Sequence, residues 1–157
     1  INCNFIIIRT SWIYGFNGKN FVKTILEKAL SVRQISVVND QYGIPTSTLF
    51  LAAMVENIII QHDNNKDCVI NKLYNVCPNG ETTWFDFAVK IINLATSIDT
   101  KYVLDIKETS SDRYCADAKR PAYSVLSNKK LCHDYNVGIL DWTYYLEIFL
   151  HKYLLRK

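Results

Sequence analysis

Phe5-Ile6-Ile7-Ile8-Arg9-Thr10-Ser11-Trp12-Ile13-Tyr14-Gly15 is the stretch that decides the fold. Its first four residues are aromatic or β-branched with no polar alternation, the pattern of a strand covered on both faces in a mostly parallel sheet. In open α/β sheets the ligand crevice lies beyond the carboxyl ends of the strands, so Arg9 to Trp12 are expected to face one. A plainer reading has Trp12 and Tyr14 simply capping a core, and the stretch alone does not choose.

Working outward, Gly15-Phe16-Asn17-Gly18-Lys19 is rich in turn formers. Asn20 then stands where a helix cap belongs. Phe21, Val22, Ile25, Leu26, Ala29 and Leu30 recur at the spacing of one helical face. The exposed amides at such a start can also meet a phosphate. Ile35 to Val38 reads as a short strand, followed by the donor-rich loop Asn39-Asp40-Gln41-Tyr42-Gly43-Ile44-Pro45-Thr46. Loops of this kind carry binding groups on a rigid scaffold, or are plain turns. Ser47 is expected to cap an apolar, largely buried helix to about Gln61, with a solvated break over residues 62–66. Leu73 to Cys77 reads as a strand. Thr83 with Asp86 resembles a capping box for a helix in which Trp84 is expected to be core. Tyr102 to Ile106 reads as a strand, and a polar loop from Lys107 ends at Arg120-Pro121. Arg120 can hold an anion in a fixed place, or serve a surface ion pair. Ser127 is expected to cap a short helix and Asp141 a last amphipathic one. The alternation is that of an α/β fold.

The totals narrow the function classes. A chain of 157 residues with 49% hydrophobic and 21% charged residues can bury a real core. The net charge of +3 is spread along the chain, which argues against nucleic acid or an anionic membrane as partner. Five cysteines (Cys3, Cys68, Cys77, Cys115 and Cys132) without close pairing fit reduced thiols and a cytoplasmic location. No apolar run reaches the ~18 residues of a membrane span. The chain starts at Ile1 and runs at once into a strand that needs neighbours, so a carboxyl-terminal piece of a longer protein is expected.

Several chemistries lack their residues. The histidines at 62, 133 and 151 are far apart and none has a second ligand at metal spacing, so no metal is assigned. There is no Gly-x-Ser-x-Gly elbow and no Gly-rich phosphate loop. Tyr153 and Lys157 mimic a Tyr-x-x-x-Lys pair, but they end a surface helix and are rejected as catalytic.

Taken in order, Arg9 to Gly15, Asn20-Phe21, Val38 to Thr46, Thr83 to Ala88, and Lys119 to Leu126 resemble the dTDP-4-dehydrorhamnose reductases, members of the extended short-chain dehydrogenases. The resemblance covers nearly the whole chain, but only the carboxyl-terminal half of that family's length. It implies the carboxyl-terminal part of a Rossmann-like parallel sheet plus a small α/β substrate-binding lobe, with residues 1–157 forming one substrate-binding region. The amino-terminal dinucleotide-binding domain would lie outside this chain, with the Gly-rich loop and the Tyr/Lys pair. The implied reaction moves a hydride from NADPH or NADH to the keto carbon of dTDP-4-dehydro-L-rhamnose, for surface polysaccharide. Arg9, Thr10 and Ser11 would lie near the nicotinamide. Trp12 would lay its ring beside the deoxysugar, whose CH face suits an aromatic plane. Asn20, Gln41, Pro45 and Thr46 would follow the nucleotide diphosphate, with Arg120 near it.

Two departures bear on assembly. Some members have a carboxylate at the position of Leu49 for a metal-bridged dimer, and many have Tyr-His where this chain has Tyr74-Asn75. A homodimer is allowed, and magnesium is not carried over. A non-catalytic regulator similar to the methionine adenosyltransferase β subunit is the competing reading, and a gene remnant a third. Thr10-Ser11-Trp12 and Asp40-Gln41-x-Gly43 look more like the reductases.

Overall fold

The computed structural model describes residues 5–64, 72–114 and 120–155. In chain order the elements are β1 (Ile6–Arg9), β2 (Ile13–Tyr14), α1 (Phe21–Ser31), β3 (Gln34–Val38), β4 (Tyr42–Gly43), β5 (Thr46–Ser47) and α2 (Thr48–Asn64). After them come β6 (Lys72–Asn75), β7 (Thr82–Thr83), α3 (Trp84–Ile98), β8 (Asp105–Thr109), α4 (Lys129–Tyr135) and α5 (Trp142–Leu154).

The strands meet in pairs. β1 runs parallel to β6 with Arg9 opposite Asn75, β2 parallel to β5, and β3 parallel to β8 with Gln34 opposite Asp105. β4 and β7 are antiparallel. Parallel neighbours need a crossover, and α2 supplies it between β1 and β6.

Two cores follow from this layout. The larger gathers Val22, Ile25 and Leu26 of α1, Phe87, Ile91 and Ala95 of α3, and Leu146, Phe149 and Leu150 of α5, with Ile35 and Ile106 of the β3–β8 pair against them. The smaller joins Phe50, Met54 and Ile58 of α2 to Tyr74 of β6 and to Leu131 and Tyr135 of α4, with Ile6 and Ile8 of β1 packed on it. The two cores divide the chain into a larger α/β lobe and a smaller sheet fragment, the mixed α/β layout expected from the sequence.

The caps explain where helices start. Asn20 accepts from Lys23 N and Asp141 from Thr143 N. The Ser47 hydroxyl accepts from Leu49 N and Phe50 N. Each satisfies an amide that the helix leaves without a partner.

Several expectations need correction. β1 is covered on one face only: Ile7 is 48% exposed, because strand side chains alternate and helices cover only the Ile6/Ile8 face among the described residues. α2 is not largely buried. Ala52, Ala53, Ile59 and Ile60 are exposed, since only one side of this apolar helix finds a neighbour. It also runs on to Asn64, through part of the expected break. The strand read at Tyr102–Ile106 is Asp105–Thr109, because Tyr102 and Leu104 are taken into the core before the chain joins β3. Leu30, read on the buried face of α1, is exposed in the helix's last turn. The residue before α4 is Asn128 rather than Ser127. Its amide donates to Cys77 O and Asn79 Oδ1 and makes no capping bond. Cys3, Cys68 and Cys115, together with Lys157, lie outside the described residues; Cys77 and Cys132 are free thiols.

Candidate functional site

The site grows from the turn after β1. Trp12 has φ 44°, the left-handed region that a bulky side chain avoids. Such a residue costs on the order of 1–3 kcal/mol and persists only where its surroundings hold it. They do so on both sides of the ring. A Cβ added to Gly43 would strike Cε2, Cζ2 and Nε1 of Trp12 about equally, so the Gly43 main chain lies flat against one face of the indole. Trp84 stacks on the other face, with ring centroids 3.6 Å apart and planes 12° apart. Phe21 follows, 4.6 Å from Trp84. The expectation that Trp12 offers an open plane to a sugar therefore changes, because both faces are occupied and only an edge is available.

Trp84 is the residue that the sequence hid. It reads as one more apolar residue of α3, yet it is the first residue of that helix, directly after the cap, and is only half-buried. The Thr83 hydroxyl accepts from Asp86 N and lies 2.8 Å from Asn39 Oδ1 and 2.9 Å from Asp86 Oδ2, donating to one at a time. The Thr83 cap thus also ties the helix start to the Asn39–Thr46 loop.

That loop is held along its length. Asp40 takes the Ser111 amide and hydroxyl, and these hydrogen bonds hold its carboxyl below the usual carboxylate range. Tyr42 N donates to Ala122 O at 2.8 Å, and Ser124 donates to Tyr42 O through both its amide and its hydroxyl. The Arg120–Ser124 segment is therefore stitched to β4 and stands opposite Trp84.

Two adjoining cavities result. The smaller, about 250 Å³, is lined by Trp12, Gln41, Trp84, Arg120, Pro121 and Ser124. The larger, about 550 Å³, runs along α1 and β3 past Lys19, Asn20, Phe21, Lys28, Tyr114 and, again, Gln41, Trp84 and Arg120. Gln41 is 9% exposed and its side-chain amide has no hydrogen bond among the described residues, while Arg120 is exposed with no carboxylate partner among them. Both groups border both cavities.

The remaining expected residues separate. Asn20 lines the larger cavity, but its amide is spent, accepting from Lys23 N and donating to Gly15 O, so the capping reading holds. Pro45 and Thr46 are buried and line neither cavity; Thr46 N donates to Trp12 O, which makes this segment a support. On the expected cofactor side, Ser11 Oγ donates to Ile44 O, and Arg9 O accepts from Val76 N. The Thr10 hydroxyl and Asn75 Oδ1 are buried without a partner among the described residues. Two orphaned polar atoms at the carboxyl ends of neighbouring parallel strands fit a polar group such as a carboxamide arriving from outside.

Burial pushes the Cys77 thiol up to about 11, which keeps it protonated at neutral pH. Among the described residues no three metal-ligating side chains come together, and no helix is long and apolar enough to cross a membrane.

The sequence matches the RmlD substrate binding domain family over residues 1–155. The chain belongs to that family. Within it, the dTDP-4-dehydrorhamnose reductase of Escherichia coli (strain K12) is 32% identical over 138 residues, 87% of this chain and 46% of that protein. The spore coat polysaccharide biosynthesis protein SpsK of Bacillus subtilis (strain 168) is 35% identical over 125 residues, 80% of this chain and 40% of that one. Among solved structures, the dTDP-4-dehydrorhamnose reductase of Bacillus anthracis in complex with NADP superposes with a TM-score of 0.79 at 32% identity, covering 94% of this chain and 48% of its own. This RmlD-family chain thus spans about half the length of the relatives it matches, and its parallel pairs are part of their Rossmann-like sheet.

Proposed function

We propose that this chain is the substrate-binding part of an NAD(P)H-dependent reductase that converts the 4-keto group of dTDP-4-dehydro-L-rhamnose to the alcohol of dTDP-L-rhamnose. The observation that carries the reading is the pair Gln41 and Arg120, two polar side chains without a side-chain partner among the described residues, on the wall shared by two adjoining cavities. A guanidinium with no carboxylate partner among the described residues suits a diphosphate, which it can take bidentately, and Lys19 and Lys28 add positive charge along the same groove. Phe21, Trp84 and Tyr114 give that groove aromatic surface for a base. The smaller cavity, beyond Arg120, then takes the sugar.

The hydride comes from NADPH or NADH, whose nicotinamide would lie over Arg9, Thr10 and Ser11, with the Thr10 hydroxyl as a polar contact. The tyrosine proton donor and its lysine belong to an amino-terminal dinucleotide-binding half. That half would continue the sheet beyond β1 and cover Ile7 and the exposed side of α2. Residues 1–157 by themselves therefore bind and orient substrate without turning it over.

Calorimetric titration of the 157-residue chain with dTDP tests this. Saturable binding that Arg120→Met and Gln41→Leu each weaken by about tenfold is expected, the equivalent of one charge-assisted or buried polar contact. Absence of binding, or variants that bind like the parent, would defeat the proposal. Steady oxidation of NADPH by the chain alone with the keto-sugar nucleotide would refute its non-catalytic part.

A further inference from the structure

The shape of the smaller cavity depends on a residue that touches both cavities. Trp12 borders only the smaller one, Lys19, Asn20 and Lys28 only the larger, and Trp84 both. Trp12 holds a left-handed backbone, and its indole is fixed by contact on each face, Gly43 below and Trp84 above. Gly43 offers only main chain, and of the two rings recorded against the indole Trp84 is the nearer, at 3.6 Å against 6.4 Å for Phe87, so Trp84 is the side chain that chiefly sets the ring's position. Trp84 is itself fixed at the first position of α3, by the Thr83 cap beneath it and by Phe21 beside it. Removing its indole frees one face of Trp12 and enlarges the smaller cavity, while the basic side chains of the larger one stay in place.

We propose that Trp84 is a positioning residue for Trp12, and that through this stack it governs how well the site distinguishes a nucleoside diphosphate from the same nucleotide carrying a hexose. The inference deepens the substrate reading above and rests on it. It assigns sugar discrimination to the aromatic stack and charge recognition to Arg120 and its lysine neighbours.

The test compares two ligands on the 157-residue chain, dTDP and dTDP-glucose, by calorimetry, with circular dichroism of the indole pair as a second readout. Indoles stacked this closely couple excitonically, so the parent should show a couplet that Trp84→Phe and Trp12→Phe both abolish. In Trp84→Ala the affinity for dTDP-glucose should fall about three- to tenfold more than that for dTDP, the equivalent of one aromatic pair. Trp84→Tyr, which keeps a ring over Trp12, should recover part of the difference. Should Trp84→Ala fail to fold, Trp84→Leu carries the same comparison, since it keeps apolar bulk against Phe21 without a ring over Trp12. Equal weakening of both ligands, or an unchanged ratio in a folded variant, overturns the proposal. A parent chain that binds neither ligand sinks the substrate reading and this inference with it, and is told apart because no variant is needed to see it.

Discussion

The Asp40 carboxylate accepts hydrogen bonds from Ser111 at both oxygens, from the amide at 3.0 and 2.9 Å and from the hydroxyl at 2.9 Å. Two loops 71 residues apart in sequence are joined at this one carboxylate. Gln41 follows it directly on one side, and Tyr114 lies three residues beyond Ser111 on the other. Asp40→Ala should therefore weaken dTDP binding although Asp40 lines neither cavity, while Asp40→Asn, which keeps one acceptor, should weaken it less. Ligand titrations of the two variants check this, and equal losses would contradict it.

The same carboxylate gives a pH dependence with a definite sign. Its folded-state pKa is depressed, so the clamp is fully formed above the ordinary carboxylate value of ~3.9 and is lost as pH falls through the lower folded value. Asp134 behaves likewise. Hydrogen bonds from His133 and Tyr74, with Lys72 nearby, hold it at about 2. Thermal melts should show Asp134→Asn less stable than the parent at pH 7, with the gap closing between about pH 4 and pH 2. A gap that widens on acidification would reverse the assignment.

At the alkaline end the sign inverts. Burial raises the Tyr14 and Tyr74 hydroxyls above their usual value, Tyr74 also through the Asp134 carboxylate. Their contribution is constant below pH ~10 and lost above it, where the unfolded chain ionises first. Tyr14→Phe, which removes a buried hydroxyl that has no hydrogen bond among the described residues, should flatten the alkaline fall in melting temperature.

How much of this was legible in the sequence follows from where each signal resides. The helices announced themselves because caps and face periodicity are local: Asn20, Ser47, Thr83 and Asp141 all stand where they were read. The burial of β1 and α2 did not, because an apolar run states a capacity to be covered and not the presence of a cover. At the site, Gln41 and Arg120 were visible as polar groups in turn-rich segments. Trp84 was not, since a tryptophan after a cap looks the same whether it points into a core or over a cavity. Pro45 and Thr46 lie buried outside both cavities, because a motif gives proximity to a ligand without telling contact from support.

Gly43 offers the most direct check on the stack. Gly43→Ala puts a methyl group into the Trp12 indole, and overpacking of this kind costs about 1–3 kcal/mol. Chemical denaturation should show that loss together with a weakened indole couplet. A variant as stable as the parent, with its couplet intact, would mean that the main chain is not seated against the ring.

The bare side of β1 has a consequence for how the protein behaves in a tube. A parallel strand with one partner among the described residues, Ile7 half in water and the apolar flank of α2 beside it, invites other chains as readily as its own. Concentration then becomes a variable of the molecule. Raised far enough, it favours edge-to-edge association through this surface.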